Sequence, residues 1–140
     1  MSVHFFSEST DFKLEDEKRY AHWIEVVVFV HKYELINLNY IFCSDKYLLK
    51  MNKEYLNHDY YTDIVTFNNA DQEFQIEGDI FISIERVKEN ARTHSNTFEQ
   101  ELERVMAHGV LHLLGFNDQT SKEKRLMREK EDSCLSLLKN

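Results

Sequence analysis

A chain of 140 residues, 42% hydrophobic and 30% charged, has the size and composition of one globular domain, here residues 1–140, and is long enough to bury a real core. The longest apolar run, Val26–Val30, is far too short for a membrane span, and no basic segment leads into an apolar one at the N-terminus, so neither a membrane partner nor a secretory signal is expected. The net charge of −8 argues against tight non-specific binding of nucleic acid, because neutralising phosphates needs Lys and Arg, although a local basic face stays compatible with it. Two cysteines far apart, Cys43 and Cys134, read as reduced thiols of a cytoplasmic protein.

The aromatic stretch Val3–Glu8 reads as a first strand. From about Glu15 to Tyr33 the residues Tyr20, Trp23, Ile24, Val27 and Val28 recur at helical spacing, although the β-branched run Val26–Val30 also fits a strand. Asn37–Cys43 alternates polar and apolar side chains, which predicts a strand. Ser44 can cap a helix running to about Leu56, with Leu48, Leu49, Met51 and Tyr55 facing inward. After the polar segment 57–63, Ile64–Phe67 predicts a strand. Beyond a loop at 68–73, Phe74–Ile76 and Gly78–Ser83 form further strand, arranged as a hairpin. Ile84 to about Thr93 reads as a helix. Thr97 with Gln100 has the form of a capping box opening a helix over 98–115, its first half exposing Glu99, Glu101, Glu103 and Arg104. Thr120 with Glu123 repeats that form before a last helix to about Leu138. There Leu126, Met127, Cys134, Leu137 and Leu138 face inward, and the other charges read as a solvated face. The fold class is α+β: a small mixed sheet covered by helices, with a central metal-binding helix.

The chemistry concentrates in Met106–Asp118. His108 and His112 lie four apart, about 400° around a helix, so both rings leave one face. That spacing offers two imidazoles to one metal ion. Gly115 can adopt the left-handed conformation that ends a helix, and the chain can return Asp118 to the rings. The spacing is thus that of a three-ligand site with room for water. The competing reading makes both histidines core residues bonded to backbone. In the His-Glu-x-x-His helix of zinc proteases the Glu is the general base, and that position is Gly109 here, which disfavours a protease.

The run His108–Phe116 resembles the signature of the YbeY family, metal-dependent endoribonucleases of rRNA maturation: His-Gly-x-Leu-His-Leu-x-Gly-Tyr/Phe-Asp-His. Asn52-Lys53-Glu54-Tyr55, then Asp59, then Thr62–Phe67 resemble its Asn-x-x-Tyr/Phe-Arg, Asp and Thr-Asp-Val-Leu-Ser-Phe blocks. Glu77–Ser83 resembles its Gly-Asp-Ile strand. The resemblance spans about residues 37–120, in the family's order. There are two departures. The third metal-binding histidine of the family falls on Asp118, beside Asn117, and the arginine following the aromatic residue falls on Leu56.

The resemblance implies a single-strand-specific endoribonuclease of rRNA maturation and ribosome quality control, hydrolysing phosphodiesters with a metal-activated water. His108, His112 and Asp118 would hold the metal. Zn²⁺ is expected, and the carboxylate also admits other divalent transition metals. The implied partners are rRNA and the small ribosomal subunit with its proteins. The general base stays open between Asp63, His58 and none. Thr62, Asp63 and Thr66 read either as cleft residues or, more simply, as a turn satisfying local backbone. Arg86, Lys88 and Arg92 fit an RNA strip or the outer face of an amphipathic helix, and the acidic neighbours Glu85 and Glu89 favour the latter. Two other functions remain: a metallohydrolase acting on another substrate, and a non-catalytic assembly factor with a structural metal. An open coordination position favours the enzymes, and a closed four-ligand site favours the assembly factor.

Overall fold

A four-stranded sheet with strand order β1-β2-β4-β3 supports the molecule in a computed structural model that describes residues 2–58 and 61–139. The elements are β1 (Val3–Glu8), α1 (Glu17–Val30), β2 (Glu34–Cys43), α2 (Asp45–Leu56), β3 (Ile64–Asn68), β4 (Gln75–Ser83), α3 (Ile84–Thr93), α4 (Phe98–Leu113) and α5 (Ser121–Lys139). β1, β2 and β4 run parallel, and β3 closes the edge antiparallel to β4, with Ile64 opposite Ile82 and Asn68 opposite Gly78. The mixed sheet and its helices bear out the α+β expectation. Among the described residues no helix is long and apolar enough to cross a membrane.

Strand periodicity sorts the apolar side chains between two cores. Leu38, Tyr40 and Phe42 of β2, with Ile80 and Ile82 of β4, join α1, α4 and α5 in the larger one. Ile41, Cys43 and Phe81 point the other way, onto Leu48 of α2. Within the larger core, polar side chains tie β2 to α4 and α1 to α5. The Tyr40 hydroxyl donates to the Met106 carbonyl in the middle of α4 (2.8 Å), and the Trp23 indole N–H donates to the Cys134 carbonyl of α5 (2.7 Å). The capping residues do what their positions demand. Ser44, Thr97 and Thr120 each accept a backbone N–H three residues on, and Gln100 and Glu123 reach back to complete two capping boxes.

The helical reading of α1 holds: its β-branched stretch stays helical to Val30, with Val27 and Val28 packed into the core. Several other expectations are corrected. β2 begins at Glu34, earlier than the alternation indicated, because a register shift between Leu35 and Asn37 leaves Ile36 facing solvent and hides the period. The two apolar runs at 74–83 form one continuous strand, which starts after Phe74. Tyr55 is exposed in the last turn of α2, with an edge contact to Phe67. Leu126 is exposed because α5 docks through Met127, Cys134 and Leu138, a stripe one helix position further round. Glu101, expected in solvent, is 5% exposed and faces His94 and Asn96. Asp59 lies outside the described residues.

Tyr40→Phe removes one buried hydrogen bond and leaves the Met106 carbonyl its helical partner. Equilibrium unfolding is expected to show a loss of about 1 kcal/mol with an unchanged m-value. A neutral result would mean that the bond does not couple sheet to helix.

Candidate metal centre

α4 is apolar on nearly every side: Leu102, Val105, Met106, Ala107, Val110, Leu111 and Leu113 are all buried. Two imidazoles on such a helix need partners, and the chain supplies them from both flanks. Beyond Leu113 the helix ends in a Schellman turn. The N–H of Gly115 bonds the His112 carbonyl (3.0 Å) and that of Phe116 bonds the Leu111 carbonyl (3.0 Å), with Gly115 at φ 99°. The Tyr33 hydroxyl donates to the Leu114 carbonyl (3.1 Å) and pins the turn to the sheet side. The reversed chain brings Asp118 back onto the two histidines.

The three ligand atoms face one another. Asp118 Oδ2 lies 3.3 Å from His108 Nε2 and 3.4 Å from His112 Nε2, and the two Nε2 atoms are 2.9 Å apart. They form a group able to hold a metal ion, and among the described residues no fourth His, Cys, Asp or Glu joins it. Atoms bound about 2.0–2.1 Å from a tetrahedral zinc ion stand about 3.3–3.4 Å apart. The two edges to Asp118 match that spacing, and the edge between the histidines is shorter. Two neutral nitrogens and one carboxylate oxygen suit a divalent transition metal, and all three residues are partly exposed on one side. The residues present therefore fit a metal with an open position.

Sequence reasoning missed the residues behind the histidines. His108 Nδ1 is 2.7 Å from Glu131 Oε2, and the other oxygen of Glu131 accepts from Arg104 (2.8 Å), which also bonds Asp132 (2.8 Å). A carboxylate on Nδ1 fixes the ring and leaves the Nε2 lone pair facing inward, the usual support of a metal-binding histidine. Glu131, 6% exposed, and the half-buried Arg104 are thus parts of the site and do not belong to solvated faces. The signal was present: Glu131 lies four residues after Met127 and three before Cys134, inside the apolar stripe of α5.

Charge follows this geometry. Burial alone would lower the pKa of His108, but the hydrogen bond and charge of Glu131, with Asp118 and Asp63, hold it above the ordinary histidine value. Burial and the neighbouring His108 push His112 below that value, against the opposing pull of Asp118 and the Phe116 backbone. Asp63 is pushed up by burial, and His108 pulls it the other way. Its carboxylate sits 3.5 Å from the Asn90 amide, and its carbonyl accepts the Ser83 N–H (2.9 Å). Thr62 bonds the nearby Ile64 carbonyl (3.4 Å).

His112 and Asp118 open onto a cleft of about 310 Å³ whose walls include Asn52, Leu56, His58, Thr66 and Gln119. Leu56 and His58 thus stand beside the ligands. Arg86 does not: it bonds both oxygens of Asp45 (3.1 Å each), approaches Glu89 and lies over the Tyr61 ring. Gly109 faces the sheet, where an added Cβ would stand 2.9 Å from side-chain carbons of Ile64 and Ile80, so the helix carries no side chain there.

The chain is similar to known proteins over nearly its whole length. The family model described as Endoribonuclease YbeY matches residues 4–139. The chain is 52% identical to Endoribonuclease YbeY of Cytophaga hutchinsonii over 138 residues, covering 99% of this chain and 96% of the relative. It is 50% identical to Endoribonuclease YbeY of Amoebophilus asiaticus, covering 93% and 88% respectively. The solution structure of TM1509 from Thermotoga maritima superposes with a TM-score of 0.67 at 26% identity, covering 97% of this chain and 88% of that one.

Glu131→Gln is expected to weaken metal binding about 10-fold or more, measured by competition with a chelator. The metal must displace the His108 proton, so binding strengthens as pH rises through the raised His108 pKa, and the substitution moves that window to lower pH. In the metal-free protein, the stability from protonated His108 is complete below about 6.5 and is lost as pH rises through the raised value. Equal affinity and an equal pH profile in the variant would remove Glu131 from the site.

Proposed function

This chain belongs to the Endoribonuclease YbeY family, and from that membership we propose that it is a metal-dependent endoribonuclease cutting single-stranded RNA in rRNA maturation and ribosome quality control. The observation that carries the reading is the open three-ligand group His108–His112–Asp118 at the mouth of a cleft. A zinc ion or another divalent transition metal held there supplies Lewis acidity to a phosphoryl oxygen and lowers the pKa of water. The natural setting is the cytoplasm, with the small ribosomal subunit and its proteins presenting rRNA.

The chain's own residues do the rest. Glu131 keeps the His108 ring aimed at the ion, and the Schellman turn keeps Asp118 opposite both rings. The apolar packing of α4 shuts water out behind the ligands, so substrate enters from the cleft side alone. Leu56 lines that cleft where the family carries arginine, so charge neutralisation of the substrate comes from another element. An open position in the ligand set supports hydrolysis over a purely structural metal. Gly109, closed in by Ile64 and Ile80, speaks against a peptidase, which would need its general base there.

The deciding experiment compares wild type with His112→Ala and Asp118→Ala, measuring metal content and cleavage of single-stranded RNA on the same samples. Wild type is expected to carry about one metal per chain, with metal and cleavage both falling at least about 10-fold in each variant. A wild type that takes up no metal on reconstitution would overturn the reading. Metal bound without cleavage by any sample would favour the assembly factor.

A further inference from the structure

The cleft beside the candidate ligands is walled by neutral side chains, two histidines and Asp118, and among the described residues no Lys or Arg lines it. An RNA strand brings a negative charge with every nucleotide and is held largely by cations. Those cations gather at the start of α5. Five of the chain's 17 Lys and Arg fall within residues 121–130, against two of its 25 Asp and Glu, so the remainder of the chain is more acidic than its total suggests. Lys122, Lys124, Arg125 and Arg128 are exposed, and none of the four forms an ion pair among the described residues. Arg86 and Arg104, by contrast, are both engaged by carboxylates.

Their position is also informative. The first turns of a helix favour acidic residues, because the backbone N–H groups there already carry partial positive charge. Lys122, Lys124 and Arg125 work against this preference, and together with the helix terminus they strengthen attraction for an anion. Lys124 and Arg128 precede Glu131 by seven and three residues, which sets them on the helix face that carries Glu131 to His108. Asp118 lies three residues before the helix begins, so the basic turns start where the ligand group ends.

We propose that the first half of α5 is the surface that holds the phosphate backbone of single-stranded RNA, with Lys124 and Arg128 as the contacts nearest the candidate metal centre. The proposal rests on the endoribonuclease reading and names the element that stands in for the family's arginine at Leu56. Lys122 and Arg125, further round the same turns, extend the track away from the cleft.

The test is binding of a labelled single-stranded oligoribonucleotide, followed by fluorescence anisotropy across a salt series, with metal content measured on each sample. Lys124→Gln/Arg128→Gln is compared with wild type and with Lys88→Gln/Arg92→Gln on α3, which removes the same charge from another exposed helix. The α5 pair is expected to lose about 10-fold in affinity at low salt. Its plot of log affinity against log salt should flatten by about 1.4, two single-strand phosphate contacts at about 0.7 each. The α3 pair should stay within about twofold of wild type with an unchanged slope. Lys122→Gln/Arg125→Gln, a second exposed pair, should lose less than the first. Metal content and the melting transition should match wild type throughout. A wild-type slope in the α5 pair, or an equal loss in the α3 pair, overturns this proposal alone. Failure of wild type to bind RNA at any salt overturns the endoribonuclease reading with it.

Discussion

One buried carboxylate holds the architecture of the site. Glu131 accepts from Arg104 and faces His108, so a single side chain of α5 fixes the ring that faces Asp118 and binds two helices together. Removing one partner from such an arrangement leaves a buried charge uncompensated, which typically costs about 3–5 kcal/mol. An apolar side chain at position 131 would leave both Arg104 and His108 without this partner. The carboxylate therefore serves stability and orientation together, and its place within an otherwise apolar stripe follows from that.

How much of this was legible depended on what each feature needs from distant parts of the chain. The caps at Ser44, Thr97 and Thr120 were readable because capping is local chemistry, decided within four residues. The pairing of His108 with His112 and the helix stop at Gly115 were readable for the same reason. The start of β2 was not, because a bulge at Leu35–Asn37 breaks the alternation on which the reading rests. Glu101, Arg104 and Glu131 were assigned to solvent from residue type alone. The place of Glu131 inside the apolar stripe of α5 was a local signal, whereas the burial of Glu101 and Arg104 depends on how α3, α4 and α5 pack. Tyr55 and Leu126 failed in the opposite sense: Leu126 lies one helix position off the face that docks, and Tyr55, seven residues after the buried Leu48, stands exposed in the last turn of α2.

The acidic total and an RNA-cutting family are reconciled by distribution. Net charge sets the long-range field, whereas contact with phosphate depends on the few cations near the cut. Here no Lys or Arg among the described residues lines the cleft, and four exposed cations without an ion pair among those residues lie together at the start of α5.

The glycine after the first histidine completes the argument about chemistry. In a protease-like helix the corresponding side chain performs proton transfer at the metal. On α4 that position presses against Ile64 and Ile80, and even a methyl group must displace one of them. The constraint comes from sheet packing, and it removes an acid–base group from the helix itself. The segment leading into β3 places two ionisable side chains near His108, His112 and Asp118. Asp63 there is close enough for its charge and that of His108 to act on each other, and His58 lines the cleft. With Gly109 closed in by the sheet, α4 itself offers only its two imidazoles toward Asp118.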